Sequence, residues 1–131
     1  MSRRVLIVDD EAALRSSLRD ALRLASYEVS EAHDGAEGLD QAARVRPDVI
    51  LMDVKMPGLD GYAACRKLKD VPATSSIPVI FVTAVTDLMV NRLAYDAGGV
   101  ACMTKPFRLE ALLGLIETTL ARVKRAQPVP A

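Results

Sequence analysis

Three runs of apolar residues, at positions 5–8, 49–52 and 79–82, most constrain what this chain can fold into. Each run is too short for a helix and does not alternate with polar residues. Such runs are typical of strands buried on both faces of a parallel sheet. The pattern therefore predicts a sheet that is covered by helices on both sides.

The segments between these runs predict two further short strands, at 27–30 and 100–103, and five helices. The helices are expected over residues 11–25, from 36 to a stop before Pro47, after a cap at Asp60, from a cap at Thr86 or Asp87 to 97, and over 107–124. Five strand and helix repeats require parallel strands with right-handed crossovers, so the predicted fold class is α/β.

The same periodicity predicts which helix faces are buried. The second helix is expected to bury Ala36, Leu39 and Ala43, and the fourth Val90, Leu93, Ala94 and Ala97. The last helix is expected to bury Leu109, Leu112, Leu113, Ile116, Leu120 and Val123. Residues 1–125 are expected to form one domain, with 126–131 a flexible tail or the start of an interdomain linker.

Composition excludes some classes of function. The 17 basic and 17 acidic residues cancel, which gives no electrostatic reason to expect nucleic-acid or membrane binding. The basic start of the chain precedes an apolar run far too short for a signal peptide or a spanning helix. Cys65 and Cys102 have no metal-type spacing, so we expect reduced thiols and a cytoplasmic location.

Polar residues end four of the five predicted strands: Asp9 with Asp10, then Asp53, Thr83 and, at the last strand, Lys105. The carboxyl ends of parallel strands share one edge of the sheet, where open α/β sheets bind ligands. Three carboxylates held together repel one another and take up protons or a cation. A hard divalent ion, Mg²⁺, suits this set.

The two remaining strand-end residues suit a phosphoryl group better than a metal. Lys105 offers a point charge and Thr83 a hydroxyl donor. A carboxylate can attack phosphorus to give an aspartyl phosphate, and Asp53 is our candidate nucleophile. Taken singly, each residue has a simpler explanation: Asp53 can cap a turn, Asp9 and Asp10 can cap a helix, and Lys105 can be a solvated loop residue.

Four motifs, in this order, resemble the receiver (phosphoacceptor) domain of bacterial two-component response regulators. They are VLIVDDE at 5–11, DVILMDVKMPGLDGY at 48–62, PVIFVTA at 78–84 and TKPF at 104–107. The resemblance implies a flavodoxin-like (βα)5 fold whose strand order is 2-1-3-4-5. It also implies that Mg²⁺, for which Mn²⁺ can substitute, is held by Asp9, Asp10, Asp53 and the backbone carbonyl of Lys55.

The resemblance further implies a phosphorelay. Asp53 would accept a phosphoryl group from a sensor histidine kinase or a phosphotransfer protein, and Thr83, Ala84 and Lys105 would engage it. The peptide bond between Lys105 and Pro106 is a candidate for the cis form. The helix over 87–97, the strand at 100–103 and the last helix would form the face that controls an output partner or domain.

This chain departs from the family pattern at a few places. Cys102 occupies the position where many receivers carry the switch aromatic, and Gly99, Val100 and Ala101 replace an acidic segment that supports dimers, so we expect a monomer or a weak dimer. Lys55 and Val85 cannot orient an attacking water. We therefore expect a long-lived phosphoryl group.

Two other classes of function remain open on the sequence. One is a receiver-like interaction module that works without phosphorylation. Cys102 keeps this alternative open, but the complete set of Asp9, Asp10, Asp53, Thr83 and Lys105 argues against it. The other is a Mg²⁺-dependent aspartyl phosphatase of the haloacid dehalogenase type. That family needs a second aspartate two residues after the nucleophile, where Lys55 stands here. We expect a phosphoacceptor switch and not a dedicated enzyme.

Overall fold

The computed structural model describes residues 3–126 of the chain as five strands that alternate with five helices. In chain order they are β1 Arg4–Val8, α1 Ala12–Leu24, β2 Glu28–Ala32, α2 Gly35–Val45, β3 Val49–Met52, α3 Gly61–Asp70, β4 Val79–Thr83, α4 Val90–Asp96, β5 Ala101–Thr104 and α5 Leu109–Ala126. Residues 127–131 of the expected tail lie outside the described residues.

All strand pairs are parallel, and the strand order is β2-β1-β3-β4-β5. This confirms the predicted fold class and order. The register places Val8 beside Ala32 on one side and beside Met52 on the other, so the neighbouring strands end at the same level. No helix within residues 3–126 has both the length and the apolar character needed to cross a bilayer.

The central strands are buried on both faces because their side chains alternate between two cores. Leu6, Ile50 and Phe81 face a core that includes residues of α2, α3 and α4. Ile7 and Ile80 face the second core, which α1 and α5 complete. The uninterrupted apolar runs in the sequence follow from this double burial.

The inward face of α2 differs from the prediction. Ala36 and Ala43 are exposed, and the buried residues are Gly35, Gly38 and Ala42, with Leu39 partly buried. A Cβ atom at Gly38 would lie 3.0 Å from a methyl carbon of Val8. Gly38 therefore lets α2 approach the sheet closely, and the apolar periodicity of the sequence does not indicate this.

The predicted start of α4 was wrong. The helix begins at Val90, after Met89 as N-cap, and Met89 has no capping side chain. The Asp87 carboxylate accepts a hydrogen bond from the Met89 amide at 2.7 Å, so Asp87 caps the preceding turn. In this seven-residue helix only Val90 and Ala94 are buried, and Leu93 is 38% exposed instead of facing the core.

The start of α5 was also predicted too early. The helix begins at Leu109, whose side chain is 37% exposed. Phe107 packs against the second core before the helix starts. Further along, Leu112, Ile116 and Leu120 are buried as predicted.

We expect Gly61→Ala to destabilise the protein by about 1–3 kcal/mol, because overpacking forces the neighbouring backbone to move. A Cβ atom at Gly61 would collide with the backbone carbonyl of Asp53. Gly114→Ala is the matched control, since Gly114 is exposed within α5 and its Cβ would meet no atom within 4 Å. That change should stabilise by about 0.5–1 kcal/mol. Urea unfolding measures both, and equal effects would contradict the close approach at Gly61.

Candidate phosphoacceptor and metal site

Backbone hydrogen bonds place the strand-end residues side by side. The amide of Asp9 donates to the carbonyl of Ala32 at 3.1 Å, and the amide of Asp53 donates to the carbonyl of Val8 at 3.0 Å. These bonds extend the ladders one residue beyond the strands. Both carboxylates consequently leave the sheet at the same edge, as the sequence predicted.

The side chain of Lys105 connects the two buried carboxylates. Its Nζ lies 2.8 Å from Asp9 Oδ2 and 3.3 Å from Asp53 Oδ2. Glu11 adds a weaker contact at 3.8 Å. The amide of Lys105 donates to the carbonyl of Thr83, which anchors the lysine to the end of β4, and the Lys105–Pro106 peptide bond is cis.

The other oxygen of each buried carboxylate accepts a backbone hydrogen bond. Asp9 Oδ1 accepts from the amide of Glu11 at 2.9 Å, and Asp53 Oδ1 accepts from the amide of Val54 at 2.7 Å. Each carboxylate is thus held from two directions, and its orientation is set before any ligand binds.

Burial and the neighbouring charges both shift the pKa values of Asp53 and Lys105. Burial, with the nearby charge of Asp9, raises the pKa of Asp53, and the Lys105 ammonium only partly offsets this. Burial by itself lowers the pKa of Lys105, but its hydrogen bond to Asp9 and the charges of both carboxylates outweigh burial, so the pKa is raised. One ammonium does not balance this group of acids.

The acidic residues fit a divalent cation. Asp9, Asp10 and Asp53 each offer a carboxylate oxygen, and these oxygens lie within 4.8 Å of one another. Oxygen donors with an excess of negative charge suit Mg²⁺, which keeps several water ligands. Lys55 follows Asp53 in the β3–α3 loop and lines the same cleft as Asp10.

An open cleft of about 650 Å³ leads to this edge of the sheet. It runs between the loop after β3 and the loop after β4. Its lining includes Asp10, Met56, Tyr62, Val85 and Leu93. The cleft therefore gives access from solvent to Asp10 and to the loop that follows Asp53.

Thr83 ends β4 and is buried, with 1% exposure. Its hydroxyl oxygen accepts a hydrogen bond from the amide of Val85 at 3.1 Å. Ala84 between them is exposed. The Thr83 hydroxyl therefore stabilises the loop after β4 in this structure.

Comparison with models of known protein families identifies the family of this chain. Residues 5–117 match the model of the response regulator receiver domain. The chain belongs to this receiver family. The resemblance seen in the four motifs is therefore confirmed.

Individual relatives support the assignment of this chain to the receiver family. Response regulator MprA of Mycobacterium tuberculosis H37Rv is 42% identical over 124 residues, which cover 95% of this chain and 53% of MprA. The receiver thus spans about half the length of the curated relatives that it matches.

Solved structures show the same fold. The CheY-like receiver domain protein of Methanospirillum hungatei JF-1 has a TM-score of 0.91 at 28% identity, covering 97% of this chain and 100% of that one. The receiver domain of sensor histidine kinase PA1611 from Pseudomonas aeruginosa PAO1 has a TM-score of 0.84 at 30% identity, covering 92% and 99%. That crystal structure contains a magnesium ion coordinated in the active site cleft.

The receiver carries an aromatic side chain close to Cys102, although not at the position of the usual switch aromatic. Tyr62 of α3 packs on Phe81 with ring centroids 5.4 Å apart, and both Tyr62 and Cys102 contact the first core. The Tyr62 hydroxyl is buried and has no hydrogen-bond partner among the described residues. Burial raises the pKa of both Tyr62 and Cys102.

Sequence reasoning missed Tyr62 and also Arg15, which donates to the backbone carbonyl of Asp9 at 2.7 Å. Tyr62 stands in the DGY segment of the second motif, but nothing in the motif indicates that its hydroxyl is buried. Arg15 lies on α1 among several arginines, and only its contact distinguishes it.

We expect Tyr62→Phe to stabilise the unphosphorylated receiver by up to about 1 kcal/mol, because it removes a buried hydroxyl that has no partner. Tyr95→Phe is the matched control. Tyr95 is 76% exposed, so its hydroxyl is solvated and its removal should change stability by less than about 0.5 kcal/mol. Thermal unfolding compares the two variants, and a loss of stability in Tyr62→Phe would mean that the hydroxyl has a partner.

Proposed function

We propose that this receiver accepts a phosphoryl group on Asp53 from the phosphohistidine of a sensor histidine kinase or a phosphotransfer protein, in a reaction that requires Mg²⁺. The observation that carries the proposal is the contact of Lys105 with both Asp9 and Asp53 at the carboxyl edge of the sheet. It joins a nucleophile, a cation and metal-type ligands in one site.

The transfer of the phosphoryl group needs no reactant besides Asp53 and the donor phosphohistidine. An oxygen of Asp53 forms a bond to phosphorus while the bond from phosphorus to the donor's imidazole nitrogen breaks, and the electron pair returns to the ring. The Lys105 ammonium moves from the carboxylates toward the incoming phosphoryl oxygens. Mg²⁺, when held by Asp9, Asp10, Asp53 and the Lys55 carbonyl, supplies the remaining positive charge.

The switch would follow from the same charges. A phosphoryl group adds strong acceptor oxygens, and the Thr83 hydroxyl and the Ala84 amide can exchange their present positions for contacts with it. Movement of this loop shifts the equilibrium of α4 and its surroundings. The receiver acts in this account as a phosphoacceptor switch with slow self-dephosphorylation and not as a dedicated enzyme.

The face made by α4, β5 and α5 is the proposed readout surface. It exposes apolar side chains, among them Tyr95 at 76% and Val100 at 53% exposure. Such residues fit an output protein or domain that binds after the switch. Cys65 and Cys102 are free thiols, which agrees with the reducing cytoplasm where we place the reaction.

Intact-mass measurement after incubation with acetyl phosphate and Mg²⁺ tests the proposal. We expect one phosphoryl adduct on the wild-type chain, none on Asp53→Asn and none when a chelator removes the metal. Asp40→Asn, on the exposed face of α2, is the matched control and should be phosphorylated normally. Absence of an adduct, together with failure to bind beryllofluoride, would favour the phosphorylation-independent interaction module.

We expect Lys55→Asn to shorten the lifetime of the phosphoryl group. An amide can orient an attacking water through one hydrogen bond worth about 1 kcal/mol, which corresponds to roughly a fivefold faster loss of the adduct. The decay is followed by intact mass after removal of the donor. Lys67→Asn on the surface of α3 controls for the lost charge, and an unchanged or slower decay in Lys55→Asn would contradict the expectation.

A further inference from the structure

The three candidate metal ligands are not held equally. Hydrogen bonds fix both oxygens of Asp9 and both oxygens of Asp53. The side chain of Asp10 is exposed and makes no hydrogen bond to any residue within 3–126. Its position therefore depends on the backbone that carries it.

That backbone is held by an arginine. The peptide group between Asp9 and Asp10 contains the Asp9 carbonyl, which lies beyond the β1 ladder. Arg15 Nη1 donates a hydrogen bond to this carbonyl oxygen at 2.7 Å. The bond holds this planar peptide group, and the plane includes the Cα atom from which the Asp10 side chain extends.

Arg15 is itself held by a carboxylate on the edge strand. Its Nε lies 3.4 Å from Glu31 Oε1, and the two side chains are only 17% and 28% exposed. The second oxygen of Glu31 accepts from Arg19 Nη1 at 3.2 Å. Glu31 thus anchors the guanidinium and also offsets its positive charge, which would otherwise repel a cation at the acidic residues.

We propose that Arg15 is a positioning residue of the metal site. Supported by Glu31, it orients Asp10 so that this carboxylate converges with Asp9 and Asp53 on one cation. The inference rests on the proposed function, since it concerns the metal that the phosphoryl transfer requires. This role gives a function to the contact between Arg15 of α1 and Glu31 of β2, which would otherwise be an ion pair alone.

The test measures Mn²⁺ binding by the loss of the free-ion signal in electron paramagnetic resonance, on the whole chain without phosphodonor. We expect Arg15→Met to raise the Kd for Mn²⁺ about tenfold or more, as the loss of groups that orient metal ligands commonly does. Arg15→Lys should be intermediate, because an ammonium cannot reproduce the two-directional guanidinium contacts.

Arg19→Met is the matched control. It removes the same charge from the same helix and also breaks a contact to Glu31, but Arg19 does not touch the Asp9 carbonyl. We expect its Kd to stay within about twofold of the wild-type value. Glu31→Gln, which leaves Arg15 without its partner charge, should weaken binding more than Arg19→Met does.

A double-mutant cycle tests the route of the effect. If Arg15 acts by orienting Asp10, Arg15→Met should change the Kd much less in an Asp10→Asn background than in the wild type. A merely structural role of Arg15 would give the same fold-change in both backgrounds. Thermal unfolding should show similar stabilities for Arg15→Met and Arg19→Met.

Besides an equal fold-change in both backgrounds, two results would overturn the inference. If wild type, Arg15→Met and Arg19→Met bind Mn²⁺ equally, Arg15 does not position the site although the metal site exists. If the wild-type chain binds no Mn²⁺, the metal part of the proposed function fails and the inference fails with it. Should Arg15→Met not fold, the Kd values of Arg15→Lys and Glu31→Gln for Mn²⁺ are compared with that of Arg19→Met. Equal Kd values would overturn the inference.

Discussion

The ammonium group of Lys105 lies between two buried carboxylates that would otherwise repel each other, and the organisation of this edge of the sheet depends on that contact. Asp9 and Asp53 are brought together by neighbouring strands that end at the same level. Removing charged groups from water is costly unless they are paired and hydrogen-bonded. The receiver meets this requirement only in part, because one ammonium faces two buried carboxylates. Asp10 beside them adds a third negative charge, and the excess makes the site suited to a cation.

Close packing keeps these charges within reach of one another. Gly61 lets the start of α3 lie directly against the backbone of Asp53, and Gly38 lets α2 approach Val8 at the end of β1. A side chain at Gly61 would displace the backbone of Asp53, and one at Gly38 would press on the side chain of Val8, which precedes Asp9. The two cores on opposite faces hold β1 and β3 between helices, so the spacing of the acidic residues is a consequence of packing as much as of charge.

The α1 side and the α4 side of the site are connected differently to the rest of the molecule. On the side of α1, Arg15 and Glu31 connect the backbone of Asp9 to the edge strand through polar contacts. On the side of α4, Cys102 and Tyr62 both pack against the first core, and the Tyr62 hydroxyl has no hydrogen-bond partner within residues 3–126. The first arrangement holds the backbone carbonyl of Asp9 by a hydrogen bond, whereas the second leaves an unused hydroxyl donor on Tyr62, which lines the same cleft as Val85 of the loop after Thr83.

The sequence by itself determined the fold class and the grouping of the strand-end residues. An apolar run shows a doubly buried strand, the polar residue that follows it is adjacent in the chain, and parallel topology brings all such residues to one edge. Only the tertiary structure decided that glycines form the inner face of α2, that α4 begins at Val90, and that Arg15 holds the Asp9 carbonyl. Those features depend on close approach and hydrogen bonding between residues distant in the chain, which local periodicity does not encode.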